Sequence, residues 1–209
     1  MLTREVAMWL GDVALTGDPA QDVPAVLTAR GYPQTAAHCA HVAAEAKALA
    51  ERFAADGRAA EWAGWLHDVG ALIPLEQRVA LARAWGIGVL PEEARLPMIL
   101  HQKLAVPLAR EGFGVREVAV LSAIGCHTTL KSDAALLDKV VFLADKIAWD
   151  QEGPPPYLAS LRAALTHSLD AAVCVYLNYL WERRATLPVV HPWLVAAYRQ
   201  LCGVAQSWS

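Results

Sequence analysis

In QTAAHCAHVAAEAKALAERFAAD, residues 34–56, the side chains of Cys39, Val42, Ala46, Leu49 and Phe53 recur at alternating three- and four-residue steps, while Glu45, Lys47, Glu51 and Arg52 fall mostly on other faces. That period belongs to an amphipathic α-helix with one stripe turned toward a core. The same pattern continues on both sides. Further helices are predicted over about 3–15, 23–30, 58–67, 75–86, 94–112, 115–126, 133–149, 157–183 and 191–206. Gly31-Tyr32-Pro33, Asp56-Gly57, Gly86-Ile87-Gly88, Gly112-Phe113-Gly114 and Gly153-Pro154-Pro155-Pro156 supply the breaks. Alternating runs of Val, Ile, Thr and aromatic residues are nearly absent, so the expected fold class is all-α. The three prolines after Gly153 read as a stiff connector to a C-terminal helical pair.

The 209 residues suffice for one sizeable core, and no stretch has linker composition. A single domain over 1–209 is expected, with a central part over about 34–151, an N-terminal helical extension over 1–33 and C-terminal helices over about 157–206. Hydrophobic residues make up 56% of the chain and the mean hydropathy is +0.28, yet charged residues or histidines interrupt every apolar stretch before it reaches membrane-spanning length. The first residues lack a basic start followed by a clean apolar core, so a cytoplasmic location is expected. Cys39, Cys126, Cys174 and Cys202 are widely spaced and lie in predicted helices, which favours buried reduced thiols over a disulfide framework. A net charge of -3 argues against a nucleic-acid partner. Eight tryptophans and the apolar composition are compatible with a helix-mediated homodimer.

The chemistry begins at EWAGWLHDVGALIP, residues 61–74, where an apolar helix stops at His67-Asp68. Neighbours within a helix diverge by about 100°, but at a helix end the backbone unwinds and both heads can enter one pocket. His38, His67-Asp68, His101, His127 and Asp145 form a dispersed series of imidazoles and carboxylates suited to divalent iron, manganese, cobalt, nickel or zinc. Each has a structural alternative. A carboxylate beside an imidazole often only fixes a tautomer; His101 reads equally as a half-buried helix-face residue, and His127 as a complement to a helix dipole. Asp145 follows Val140-Val141-Phe142-Leu143-Ala144, so its charge needs a metal or a cation, and Lys146 competes for that role. His41 is a neighbour of the series, and His167 and His191 fit surface or capping positions. Trp65 and Trp149 are candidates to line a pocket. No Ser-His-Asp or Cys-His arrangement stands out.

Taken with its local contexts, the order H...HD...H...H...D resembles the HD superfamily of metal-dependent phosphohydrolases. AAHCAHVAAEAKALAERF, AEWAGWLHDVG, LPMILHQKLAVPLAREGFGVREVAVLSAIGCHTT and LLDKVVFLADKI are similar to the bacterial symmetrical bis(5'-nucleosyl)-tetraphosphatases of that superfamily. The resemblance implies a single helical HD domain with two divalent metal ions, usually iron. His38, His67, Asp68 and Asp145 would hold one ion and His101 and His127 the second, with Asp68 bridging; Asp68, His101 and His127 would carry the catalysis. The implied substrate is a dinucleoside polyphosphate such as diadenosine tetraphosphate, cut to two ADP by water. Four positions depart from the family pattern. Thr35 stands for an arginine, Ala71 for a lysine, Leu130 for a glycine and Gln151 for an arginine, so three cations are lost. Lys103, Lys131 and Lys146, with Thr128, are candidate substrate contacts in their place, the lysines otherwise being solvated helix-face charges. An alternative is a regulatory module that kept the metal cage and lost catalysis, or a hydrolase of another phosphate ester.

Overall fold

The computed structural model describes residues 2–149 and 152–203. These contain helices and turns and no strand. The α-helices are α1 (Leu2–Leu10), α2 (Pro19–Ala29), α3 (Pro33–Arg52), α4 (Gly57–Leu66), α5 (Arg78–Ala84), α6 (Pro91–Arg95), α7 (His101–Pro107), α8 (Val118–Cys126), α9 (Leu136–Ile147), α10 (Leu158–Ala164), α11 (Leu169–Glu182) and α12 (Pro192–Leu201). None is long and apolar enough to cross a membrane.

The stripe read from residues 34–56 is the inner face of α3: Cys39, Val42, Ala46 and Leu49 are buried. The helix stops earlier than the pattern, because Ala54 takes a left-handed φ of 56° and the Asp56 carboxylate caps α4 by accepting from Ala59 N. Against α3 pack α4 and α9. Contact between α3 and α4 is intimate: a Cβ on Gly64 would lie 2.5 Å from Ala43 Cα, so glycine is what lets the two backbones meet. In α9 the run Val140 to Ala144 is fully buried, as expected of a helix apolar on every side and enclosed by its neighbours.

Several predicted helices are subdivided, each for a local reason. The stretch 94–112 contains the end of α6, a 3-10 turn over Pro97–Leu100, α7 and a π turn over Leu108–Gly112. Pro97 breaks the first part, and Pro107, which has no N–H to donate, precedes the widened turn. The stretch 157–183 is α10 and α11, parted where the Ser168 hydroxyl accepts from Ala171 N. The N-terminus of α2 lies earlier than predicted, capped by Asp18 with Pro19 in its first turn. The end of the predicted 191–206 helix and the departure at Gln151 lie outside the described residues.

The cysteine expectation requires a correction. Cys39 and Cys126 are buried free thiols, but Cys174 and Cys202 form a disulfide across α11 and α12, with Cα atoms 5.6 Å apart. Their wide spacing in sequence concealed the packing of those two helices against each other.

Candidate metal centre

Three of the histidines occupy the same local environment. His67 ends α4, His127 ends α8, and His101 follows the 3-10 turn over Pro97–Leu100. In each case the ring Nδ1 meets the carbonyl three residues earlier: Gly64 O at 2.7 Å, Ile124 O at 2.8 Å and Met98 O at 2.6 Å. A carbonyl only accepts, so each Nδ1 carries a proton, and each ring turns its other nitrogen, Nε2, toward the interior. The helix end supplies what the ring needs, an unpaired carbonyl of the last turn.

These Nε2 atoms converge. His101 Nε2 and His127 Nε2 are 2.9 Å apart, and His67 Nε2 lies 3.3 Å from His38 Nε2. Asp68 stands between the pairs, with Oδ1 at 3.1 Å from His101 Nε2 and 3.6 Å from His127 Nε2, and Oδ2 at 3.6 Å from His67 Nε2 and 4.0 Å from His38 Nε2. Asp145 Oδ1 approaches His38 Nε2 at 3.1 Å and His67 Nε2 at 3.7 Å. All six residues singled out from the sequence therefore share one centre. Among the described residues, two sets have ligand atoms within 4.8 Å of one another: His38, His67 and Asp145, and His67, Asp68 and His127.

The electrostatics favour a cation. Burial opposes charge on Asp68 and on Asp145, yet each carboxyl is held well below the usual range, Asp68 by the facing His67, His101 and His127, and Asp145 by Lys146, His38 and His67. Burial works against protonation of His67 as well, but Asp68 and Asp145 raise its pKa well above the ordinary value. His127 goes the other way, pushed down to about 4 chiefly by burial. With both Nδ1 protons donated to carbonyls, the Nε2 atoms of His101 and His127, 2.9 Å apart, need a proton or a metal ion between them. Mixed imidazole and carboxylate donors suit divalent first-row metals, and His38 Nδ1, buried without a hydrogen-bond partner among the described residues, is the one ring nitrogen of the cage left unanchored.

Asp145 resolves the competition posed by its sequence by dividing its oxygens. Oδ2 pairs with Lys146 Nζ while Oδ1 faces the imidazoles. Lys146 is itself buried against Phe142 and Tyr176 and also donates to His127 O. It lies behind the carboxylate and does not line the cavity. Thr128 does, its Oγ1 3.2 Å from His101 Nε2.

The cavity over the cage measures about 290 Å³ and is lined by His38, Asp68, Ala71, Arg78, Met98, His101, His127, Thr128 and Asp145. Lys103 and Lys131 are not in it. They line a different cavity of about 550 Å³ beside Trp85 and Trp193, where Lys103 pairs with Glu93 at 2.8 Å and Lys131 with Asp138 at 3.1 Å. Trp65 and Trp149 do not reach the cage cavity either; Trp65 packs against the core, and Trp149 meets Tyr157 edge to face. His41 and His167 are exposed. His191 caps α12 and is buried, 3.1 Å from Glu93.

Other residues that build the site had no signal in the sequence. Gln102, fully buried, accepts from Thr128 N and donates to Thr129 Oγ1, holding the segment after His127. A Cβ on Gly70 would fall 2.1 Å from His101 O, so the turn carrying Asp68 rests directly on the start of α7. Leu130, where the resembling family has glycine, keeps a left-handed φ of 55°. That conformation costs about 1–2 kcal/mol for a side-chain-bearing residue, and full burial of the leucine offsets it.

Four imidazoles and two carboxylates converging inside a helical bundle define an all-α protein with a candidate dinuclear centre. The sequence model of the HD domain family matches residues 35–150, more than half of the chain, and the chain belongs to that family. Over 139 residues it is 45% identical to an uncharacterised protein in the pepC 5' region of Lactococcus lactis subsp. cremoris, covering 66% of this chain and 70% of that protein. It is 34% identical over 100 residues to the symmetrical bis(5'-nucleosyl)-tetraphosphatase of Bacillus subtilis, covering 47% of this chain and 53% of that enzyme. Among solved structures, a predicted HD superfamily hydrolase involved in NAD metabolism from Clostridium acetobutylicum superposes with a TM-score of 0.79 at 23% identity, over 87% of this chain and 96% of that one, a likeness of fold.

Proposed function

We propose that the chain is a dimetal phosphohydrolase acting on a nucleotide polyphosphate, with diadenosine tetraphosphate cut symmetrically to two ADP as the substrate to test first. The observation that carries this reading is the convergence of three carbonyl-anchored imidazoles on a shared carboxylate, with His101 and His127 nitrogens 2.9 Å apart. His38, His67, Asp68 and Asp145 would hold one ion, and His101 and His127 the second, with Asp68 common to both. Bound divalent cations supply a water acidified to near neutral pH and neutralise charge on phosphoryl oxygens.

The chain's own residues do the rest. Asp68, His101 and His127 would stand nearest the reacting phosphorus, and the carbonyls behind His67, His101 and His127 take the Nδ1 protons, so that Nε2 is the atom each ring turns to the cage. Lys146 keeps Asp145 ionised inside the bundle. The Thr128 hydroxyl, with its backbone N–H held by Gln102, offers a donor to a phosphoryl oxygen at the cavity wall. No protein nucleophile is needed, which agrees with the state of the two free thiols: Cys39 and Cys126 are buried and burial raises both, Cys126 to about 12. The similarity to symmetrical tetraphosphatases from Bacillus subtilis and Halalkalibacterium halodurans supports the choice of substrate.

The test is elemental analysis of the purified protein followed by incubation with diadenosine tetraphosphate and chromatography of the products. Two ions per chain and ADP as the sole nucleotide product are expected, with both lost in His67→Ala and Asp68→Ala. Full turnover in either variant would end this reading.

A further inference from the structure

Arg78 is a cation that the cage does not use. It opens α5, and only 9% of its surface is exposed. Its Nε donates to Ile73 O and its Nη1 to Met98 O, both at 3.0 Å. These bonds tie the turn after Asp68 to the segment before His101. They spend two of the five N–H donors of a guanidinium. No carboxylate among the described residues pairs with Arg78 within salt-bridge distance, although its charge lies close enough to Asp68 to feel it. A buried guanidinium with unspent donors and no counter-ion is costly by itself. Here it forms part of the wall of the cage cavity.

Its neighbours in that wall sharpen the point. Ala71, which ends in a methyl group, lines the same cavity, and Met98 is exposed at its mouth. The remaining candidate cations are committed elsewhere: Lys146 to Asp145 behind the cage, Lys103 to Glu93 and Lys131 to Asp138 in the other cavity. Arg78 is therefore the one Lys or Arg side chain among the residues lining the cage cavity.

We propose that Arg78 is the phosphate-binding residue of this site, receiving a phosphoryl group of the substrate that lies beside the reacting one. The inference deepens the hydrolase reading and rests on it for the identity of the substrate, but not for the binding of a phosphate anion. The planar fork suits two phosphoryl oxygens at once, and the carbonyls of Ile73 and Met98 hold it in orientation before the anion arrives. Because Met98 O also accepts from His101 Nδ1, the rival account is that Arg78 only positions His101. The two accounts differ in what its loss removes. A phosphate contact sets affinity for the anion, whereas a positioning role sets metal content.

The test is titration calorimetry with inorganic pyrophosphate, on metal-loaded and metal-free protein, for wild type, Arg78→Gln and Arg78→Gln/Ala71→Lys, beside metal analysis and far-UV circular dichroism. Loss of a charge-assisted pair predicts pyrophosphate weakened by about 10- to 100-fold in Arg78→Gln, with metal content kept. The added lysine, placed in the same cavity, should recover most of that loss. In turnover assays the deficit should appear in KM more than in kcat. Unchanged pyrophosphate affinity in Arg78→Gln, or a loss that follows metal content and is not recovered by Lys at 71, would overturn the assignment. Should Arg78→Gln lower the helical signal, Ala71→Lys in the otherwise native chain takes over: it should tighten pyrophosphate, and failure to do so counts against the proposal. Failure of the hydrolase reading would show separately, as wild-type protein that binds pyrophosphate through Arg78 yet leaves diadenosine tetraphosphate intact.

Discussion

Gly70→Ala adds one methyl group outside the ring of ligands, and the consequence can be worked from the packing. The new Cβ would stand 2.1 Å from His101 O, 2.8 Å from His101 C and 3.0 Å from His101 Cα. All three are backbone atoms, so no side chain can swing aside. Bringing the closest contact up to 3.0 Å, the shortest that real Cβ atoms show, requires the Val69–Leu72 turn and the start of α7 to part by at least about 0.9 Å. Those two segments carry Asp68 and His101, whose facing atoms are 3.1 Å apart. Metal–ligand distances tolerate only about 0.2 Å of error. The variant should therefore lose about 10- to 100-fold in metal affinity, as when a supporting contact of a metal site is removed, and about 100-fold in turnover from misplacement of the reacting groups. Overpacking of this kind costs about 1–3 kcal/mol of stability, so the helical signal at 25 °C should persist. Chelator competition for the metal and single-turnover hydrolysis are the assays. A Gly70→Ala protein that keeps the wild-type metal content and turnover would refute the claim that this contact sets the spacing of the cage.

Lys146→Met should destabilise the metal-free protein by about 3 kcal/mol, the usual result of stripping one partner from a buried ion pair; with metal bound the loss should shrink, because Asp145 keeps a cationic neighbour, and thermal melts with and without chelator measure both. Glu93→Gln breaks the buried contact of Glu93 with Lys103 and His191 and should also cost about 3 kcal/mol near neutral pH. Burial opposes the Glu93 charge, but His191, Leu90 N and Lys103 bring its pKa below the ordinary 4.5. Its contribution is thus fully present above pH 4.5 and fades as pH falls through the lower folded value, so urea midpoints of wild type and variant should converge in acid. Cys174→Ser should lower stability by about 2–4 kcal/mol through the freed chain and leave metal content unchanged; an equal effect of a thiol reductant on wild type, and none on the variant, identifies the disulfide as the cause.

Much of the site was legible because its chemistry lies in residue types that the surrounding pattern makes conspicuous. A carboxylate after Val140-Val141-Phe142-Leu143-Ala144 demands a counter-charge wherever the helix goes, and an imidazole at the end of an apolar helix has a spare carbonyl within reach. Arg78 and Gln102 offered no such contrast. Each is an ordinary polar residue in sequence, and its role arises only when segments distant along the chain bring a carbonyl, a hydroxyl or a cavity wall to it. Lys103 and Lys131 show the converse: close in sequence to His101 and His127, they line another cavity, Lys103 because it stands two residues along α7 from His101 and faces another way, Lys131 because it follows the left-handed Leu130 beyond the end of α8.

Local order alone dictated the helices, since a 3.6-residue apolar stripe and its breaking glycines and prolines act within a few residues of themselves. It likewise marked His38, His67, Asp68, His101, His127 and Asp145 as a set. Which of them share a centre, which cations face it, that Cys174 meets Cys202, and that Gly70 must lack a side chain were decided by how α3, α4, α7, α8 and α9 pack and where α11 meets α12. Those facts depend on distances across space between residues far apart in the chain, and no periodicity along the backbone encodes them.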